Sequence, residues 1–343
     1  MTRNHTNHVV AALIAATLAL TTACGGGGED SEVWRFAIEE TAGSVQDSYA
    51  REFKRRIEER TDGAVTVRVF PYGTLGTSDD ITEQLRMGSL QFVTASPGHL
   101  GKTIPELQVL LLHFVLSDDA EVNQRAVADP AFREVVEPLF EEKGMHLLSI
   151  VPEGWMVWTT QSPIEEPADF EGVKIRTMTS PLLLATYEAY GASPQAMPYG
   201  EVYSALQLNM IDAQVNPVFA IEEMSFYEVT SHMTRGRPAP FLTTVVTNPS
   251  FLESLPPARR ALVEEVVREL DPFVNDVQRR LNEERIDTIL ERKPEMVITE
   301  LTEEQRAAFR ERARPVRDVF LADTGERGER VLDALLDAVE RAR

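Results

Sequence analysis

Residues 257–291, PARRALVEEVVRELDPFVNDVQRRLNEERIDTILE, are the stretch that decides the fold. Their pattern is helical for about 35 residues, or about 50 Å at the α-helical rise of about 1.5 Å per residue. Such a helix exceeds the diameter of one small domain. It suits a strut lying across two. Pro272 should bend it, or stop it at Asp271. The chain has 343 residues, which allows one large domain or two of ordinary size, each with its own core.

On both sides of the strut, strand and helix patterns alternate. Val45, Tyr49, Phe53 and Ile57 recur every four residues, on one helix face. Thr61-Asp62-Gly63 is a turn, and Val65, Val67 and Val69 then alternate with polar residues as a strand. Asp79-Asp80 opens a helix carrying Ile81 and Leu85, with acids at its positive end. Leu90 to Thr94 reads as a strand, and Phe132 to Phe140 as a helical face. Met145 to Val151 and Met156 to Thr160 are strand candidates on either side of Pro152-Glu153-Gly154. Ser180-Pro181 is an N-cap with a first-turn proline, opening a helix that runs to about Tyr190 before Gly191. Thr243 to Thr247 and Met296 to Leu301 are strand-like. Thr302 to Gln305 has capping-box spacing. This alternation predicts parallel sheets covered by helices, an α/β protein.

The N-terminus reads as a leader rather than as fold. Arg3 is followed by the uncharged run Val9 to Leu20, too short for a spanning helix, which needs about 20 apolar residues. Thr21, Thr22 and Ala23 precede Cys24, the single cysteine, and Gly25 to Gly28 follow it. Small residues before a cysteine resemble the lipobox of bacterial lipoproteins, although Thr21 stands where that pattern prefers Leu. The resemblance implies cleavage after residue 23, acylation of Cys24, and a tether over residues 24–32. The mature protein would then be periplasmic and tied to a membrane surface by lipid.

Charge and motifs exclude several functions. There are 34 Lys+Arg against 55 Asp+Glu, a net charge of −21. With no basic run, nucleic acid is not a partner. One cysteine excludes a disulfide framework and a thiolate-rich metal site. His99, His113, His146 and His232 make no short ligand spacing, so no metal is expected. There is no P-loop, G-x-S-x-G elbow or dinucleotide fingerprint, so no catalytic residue and no cofactor is assigned. Asp118-Asp119 reads as a helix cap. The acidic excess fits a surface adapted to salt.

Four ordered segments carry a family likeness: PADFEGVKIR at 167–176, YGASP at 190–194, MPYGEVYSALQ at 197–207 and IDAQVNP at 211–217. Phe70-Pro71, Leu75-Gly76, Glu83-Gln84-Leu85 and Met87-Gly88 fit the same pattern. The chain resembles the periplasmic solute receptors of TRAP (tripartite ATP-independent periplasmic) transporters, the DctP-like family. Phe36 to Glu40 and Lys174 to Thr179 are most similar to the ectoine-binding members. The resemblance implies a two-domain α/β binding protein with a cleft and a long domain-spanning helix. One domain would hold residues 33–153 plus about 241–270, and the other 154–240 plus about 285–343, with about 257–291 as the brace.

The resemblance also implies roles. Arg176 would clamp a ligand carboxylate and Asn216 would support it, with Val215 replacing the family's Glu. Glu40 would pair a cationic group. Tyr199 and Phe219 would pack on the ligand, His99 could add a polar contact, and Trp155 joins the ligand-binding set. Met156 stands where dicarboxylate and sugar-acid receptors keep a second arginine. His99, Ala220 and Leu242 fall where ectoine receptors keep aromatics. The expected function is capture of a small organic carboxylate or zwitterion, ectoine-like or amino-acid-like, for TRAP permease membrane subunits, with no chemical step. The alternatives are a C4-dicarboxylate or other monocarboxylate receptor, a protein presenting ligand to a sensor kinase, and an extracytoplasmic enzyme.

Overall fold

The computed structural model describes residues 32–343. The leader, Cys24 and nearly all of the expected tether lie outside the described residues. The first half of the chain forms β1 (Glu32–Ala37), α1 (Val45–Arg60), β2 (Val65–Phe70), α2 (Ser78–Arg86), β3 (Phe92–Ala95), α3 (Pro97–Leu100), α4 (Ala120–Val127), α5 (Pro130–Glu141) and β4 (His146–Trp155). Then come β5 (Val157–Thr160), β6 (Lys174–Thr177), α6 (Pro181–Tyr190), β7 (Ser193–Ala196), α7 (Val202–Gln207), β8 (Ala213–Asn216), α8 (Val218–Glu223) and β9 (His232–Arg235). The chain closes with β10 (Pro240–Thr247), α9 (Pro249–Ser254), α10 (Pro257–Arg292), β11 (Val297–Glu300), α11 (Glu303–Ala313) and α12 (Val316–Ala342).

Two sheets divide the strands. The first has the order β2-β1-β3-β10-β4, the second β11-β9-β5-β8-β6-β7. The expected parallel pairing holds for β1 with β2 and β3, and for β6 with β7 and β8. It fails where the chain crosses between sheets. β4 passes into β5 with Met156 alone between them, and the chain returns through β10. Outgoing and returning strands must run opposite ways, so β10 is antiparallel to β3 and β4, and β5 to β8 and β9. Pro152-Glu153-Gly154 therefore does not separate two strands; β4 runs through it to Trp155.

Each lobe has an aromatic centre. Trp34, Phe36, Phe53 and Phe92 are fully buried in the first, and Trp158, Phe170 and Tyr187 in the second. The Trp158 indole donates to the Tyr187 hydroxyl at 2.9 Å, which satisfies the one polar atom that ring would otherwise bury unpaired.

The strut forms as the periodicity predicts. α10 has 36 residues and runs through Pro272 without stopping. Val263, Val266, Leu270 and Val274 pack into the first lobe's core, and Ile289 into the second's. Asp119, of the acid pair, caps α4 by accepting from the Glu121 and Val122 amides, whereas Asp118 forms an ion pair with Arg306 of α11. The last helix, α12, lies against α4 and α5 as well as α6, so residues 316–342 run along the seam between the lobes.

Candidate functional site

The crossing point of the chain positions one small cavity between the lobes. Arg176 lies in β6, flanked by Gln195 of β7 and Gln214 of β8. It is 1% exposed. Its Nε and Nη2 donate to the Met197 carbonyl at 3.1 and 2.9 Å. That anchor fixes the guanidinium plane and, among the described residues, leaves Nη1 without a directed acceptor. Among the described residues Arg176 has no ion pair, and burial pulls it down to about 10. Burying a cation without a counter-charge costs several kcal/mol. A site that holds one is built to receive an anion.

Asn216 ends β8, directly before Pro217 opens α8. A relay of amides orients it: Gln214 Nε2 donates to Thr159 Oγ1 at 2.7 Å, and Asn216 Nδ2 donates to Gln214 Oε1 at 2.5 Å. Tyr199 sits in a short 3-10 turn, with its ring 5.9 Å from the Arg176 guanidinium carbon and edge-on to Tyr72 at 5.7 Å. His99 reaches the cavity from α3.

The opposite wall is acidic. β1 ends at Ala37, and the turn after it buries both Glu39 and Glu40. Glu39 Oε2 accepts from the Ser96 amide at 2.8 Å. Gln46 organises the group: its Oε1 accepts from the Glu39 amide at 2.8 Å and from Thr94 Oγ1 at 2.5 Å, and its Nε2 donates to Glu153 Oε1 at 3.0 Å. Glu153 is a bulge residue. Pro152 pairs with Leu242 and Gly154 with Phe241, which leaves Glu153 without a partner on β10. A bulge re-aims its side chain, and here it sends the carboxyl to Glu40. Burial raises Glu40, and the neighbouring Glu153 carboxyl raises it further. Burial pushes Glu153 up to about 7 and Glu223, which accepts from Thr41 Oγ1, up to about 8.

The structure thus gathers Arg176, Asn216, Glu40, Tyr199 and His99 around one cavity of about 30 Å³. Sequence reasoning missed Glu39, Gln46, Ser96, Met178 and Phe241, which also line it. Two expected ligand residues lie elsewhere. Phe219 is fully buried in the first lobe's core, held by its backbone amide to Asn282 Oδ1 at 3.3 Å. Trp155 lines a separate cavity of about 510 Å³ beside α10, with Asn282 and Ile286. Gly154, at φ +121°, breaks the strand alternation between Glu153 and Trp155. A Cβ there would stand 2.3 Å from Asn282 Nδ2, so only glycine fits.

At about 30 Å³ the cavity is far below the about 300 Å³ or more of an ordinary ligand pocket. An organic ligand can enter only when the lobes part. They meet through the Gly200 amide donating to Tyr72 Oη at 3.2 Å and Ser180 Oγ donating to Gln108 Oε1 at 2.6 Å. Two lobes on crossing strands, an unpaired buried guanidinium facing buried carboxyls, and a cleft that must open define a two-lobed solute receptor.

The comparisons place it within a family. The chain belongs to bacterial extracellular solute-binding protein family 7, DctP, whose pattern matches residues 36–323. It is 40% identical to the ectoine-binding periplasmic protein TeaA of Halomonas elongata over 88% of this chain and 89% of that one. It is 38% identical to the ectoine/5-hydroxyectoine-binding periplasmic protein UehA of Ruegeria pomeroyi over 94% of each. Among solved structures, it superposes on a TRAP periplasmic solute-binding protein from Marinobacter aquaeolei, in an apo open structure, with TM-score 0.84 and 43% identity. That match covers 88% of this chain and 99% of the other. The chain is a solute-binding receptor of a TRAP transporter and not an enzyme.

Proposed function

We propose that the ligand is a small zwitterion of the ectoine type, bound by its carboxylate to Arg176 and Asn216 and by its cationic pole to Glu40. One observation carries this reading: a buried guanidinium without a counter-ion faces buried carboxyls across one cavity. A guanidinium fork matches a carboxylate in two hydrogen bonds. Ectoine joins a carboxylate to a delocalised amidinium, so its two ends complement the two walls. The relatives named for ectoine support the choice. A C4-dicarboxylate is disfavoured, because its second carboxylate would meet Glu39 and Glu40 rather than an arginine. Tyr199 and Phe241 supply the apolar cover. Contact with both lobes makes the closed state the tighter binder, and the closed receptor hands its ligand to the permease.

Calorimetric titration with ectoine, 5-hydroxyectoine, succinate and acetate tests this. Ectoine should bind tightest, and a preference for succinate overturns the reading. We further propose that the receptor is periplasmic and held to a membrane by a lipid on Cys24. Radiolabelled palmitate should enter the wild-type protein and not Cys24→Ser, and equal labelling overturns the anchor.

A further inference from the structure

Glu153 was not among the expected ligand residues, yet the fold spends a bulge, a glycine and an asparagine on placing it. Its carbonyl, released from β10 by the bulge, accepts from Asn282 Nδ2 at 2.9 Å. Asn282 also holds the Phe219 amide, three residues beyond Asn216. The strut therefore fixes the backbone of the bulge and of the turn after the asparagine together. The Glu153 side chain is fully buried. Its Oε1 accepts from Gln46, while Oε2 has no donor among the described residues. The Glu40 carboxyl lies within hydrogen-bond reach. Two carboxyls can hydrogen bond only if one carries a proton, and that proton would satisfy the orphaned oxygen.

We infer that Glu40 and Glu153 share one proton in the ligand-free receptor, and that the cationic pole of the ligand expels it, making Glu153 a specificity-determining partner of Glu40. This rests on the zwitterion reading above. The pair carries one negative charge when it shares the proton and two when it does not. A bound cation favours the doubly charged form, and the proton leaves to solvent. A ligand with a neutral hydroxyl in place of the cation gains nothing from that charge.

The surroundings hold the proton on the pair. Glu39, from the same turn after β1, opposes full ionisation of the pair, and Glu223 of α8, itself raised to about 8, does so as it ionises. Arg176 of β6 and His99 of α3 act the other way, with Arg176 across the cavity and His99 beside Glu39. Arg285 of α10 is occupied by Glu222 at 2.9 Å. Tyr199, on the second lobe, brings no charge near neutrality.

The test is calorimetry of ectoine binding in buffers of different ionisation enthalpy, between about pH 6 and pH 8. The wild type should release about one proton per ectoine at the acid end, and affinity should rise up to about tenfold per pH unit until the pair ionises unaided. Glu153→Gln removes the neighbouring carboxyl that raises Glu40 and offers Glu40 an amide N–H, which favours its ionised form. It should bind with less proton release than the wild type and a shallower pH profile. Infrared difference spectra should show a protonated-carboxyl band in the ligand-free wild type, lost on adding ectoine and weaker in the variant. Tight binding with no proton release and no such band overturns the shared proton while leaving the ligand reading intact. No ectoine binding at any pH overturns both. If Glu153→Gln fails to fold, the wild-type calorimetry and spectra still decide.

Discussion

The molecule has a cavity on each side of its crossing strands, and the two differ in what they do with charge. The one beside α10 is large, about 510 Å³, and its arginines are occupied elsewhere: Arg235 and Arg237 pair with Glu300 at 3.1 and 2.7 Å, and Arg279 with Asp276 at 2.8 Å. The one between the lobes is about 30 Å³, and its arginine is buried with no partner charge. Volume favours the first cavity as the binding site and electrostatics the second. Uncompensated charge is the better guide, because the fold gives up stability to hold it there.

The largest expected effect separates the two sides. Arg176→Ala should weaken ectoine binding by about 3 kcal/mol or more, over a hundredfold, since removing one partner of a buried charge pair costs about 2–5 kcal/mol. Arg237→Ala, on the other side, should leave affinity unchanged. Comparable losses by calorimetry would erase the distinction.

Within the site, Glu40→Gln should cost ectoine at least about tenfold while costing acetate little, because only the zwitterion uses that pole. Equal losses would remove the two-pole model. Aromatic contacts rank next. Tyr199→Ala should lower affinity about tenfold, and Trp155→Ala by less than about twofold. Phe219→Ala should instead destabilise the fold by about 3–5 kcal/mol, the cost of an emptied aromatic core site, seen as a lower melting temperature.

A further effect is on stability against pH. Glu153 and Glu223 sit at about 7 and about 8 in the fold, against 4.5 for an ordinary glutamate. A raised acid binds its proton more tightly folded than unfolded. Its contribution is full below the ordinary value and is lost as pH rises through the folded one. The ligand-free protein should therefore melt lower as pH rises from about 5 to about 8, and Glu223→Gln should flatten the decline. A melting temperature that climbs over that range would contradict the raised values.

Much of the architecture was legible because it is local. The 3.6-residue period of 257–291, the Ser180 cap and the Thr302–Gln305 box depend only on neighbours in sequence, and each appears as read, the helix ending one residue later. Arg176 and Asn216 were legible through motifs. Phe241, Trp155 and Glu153 were not, for a common reason. A strand's two-residue alternation assigns a face only until a bulge shifts the count. The register slip opposite Glu153 shifts it, and Gly154 disrupts it again. Leu242, expected near the ligand, is buried in the core, and its neighbour Phe241 lines the cavity instead. Glu39 escaped notice because it lies past the end of β1, where no alternation applies. Parallel sheets were over-predicted because a βα alternation gives no sign that the chain will leave one sheet and return.

The closeness of the two lobes around that cavity also sets a clock. Tyr72 and Tyr199 meet edge-on across the lobes at 5.7 Å, so a ligand held by the closed form would leave when that contact parts. Its residence time is the waiting time for the whole molecule to open, and loosening the Tyr72–Gly200 contact should shorten it. Cargo would then leave all at once, on the timescale of domain motion.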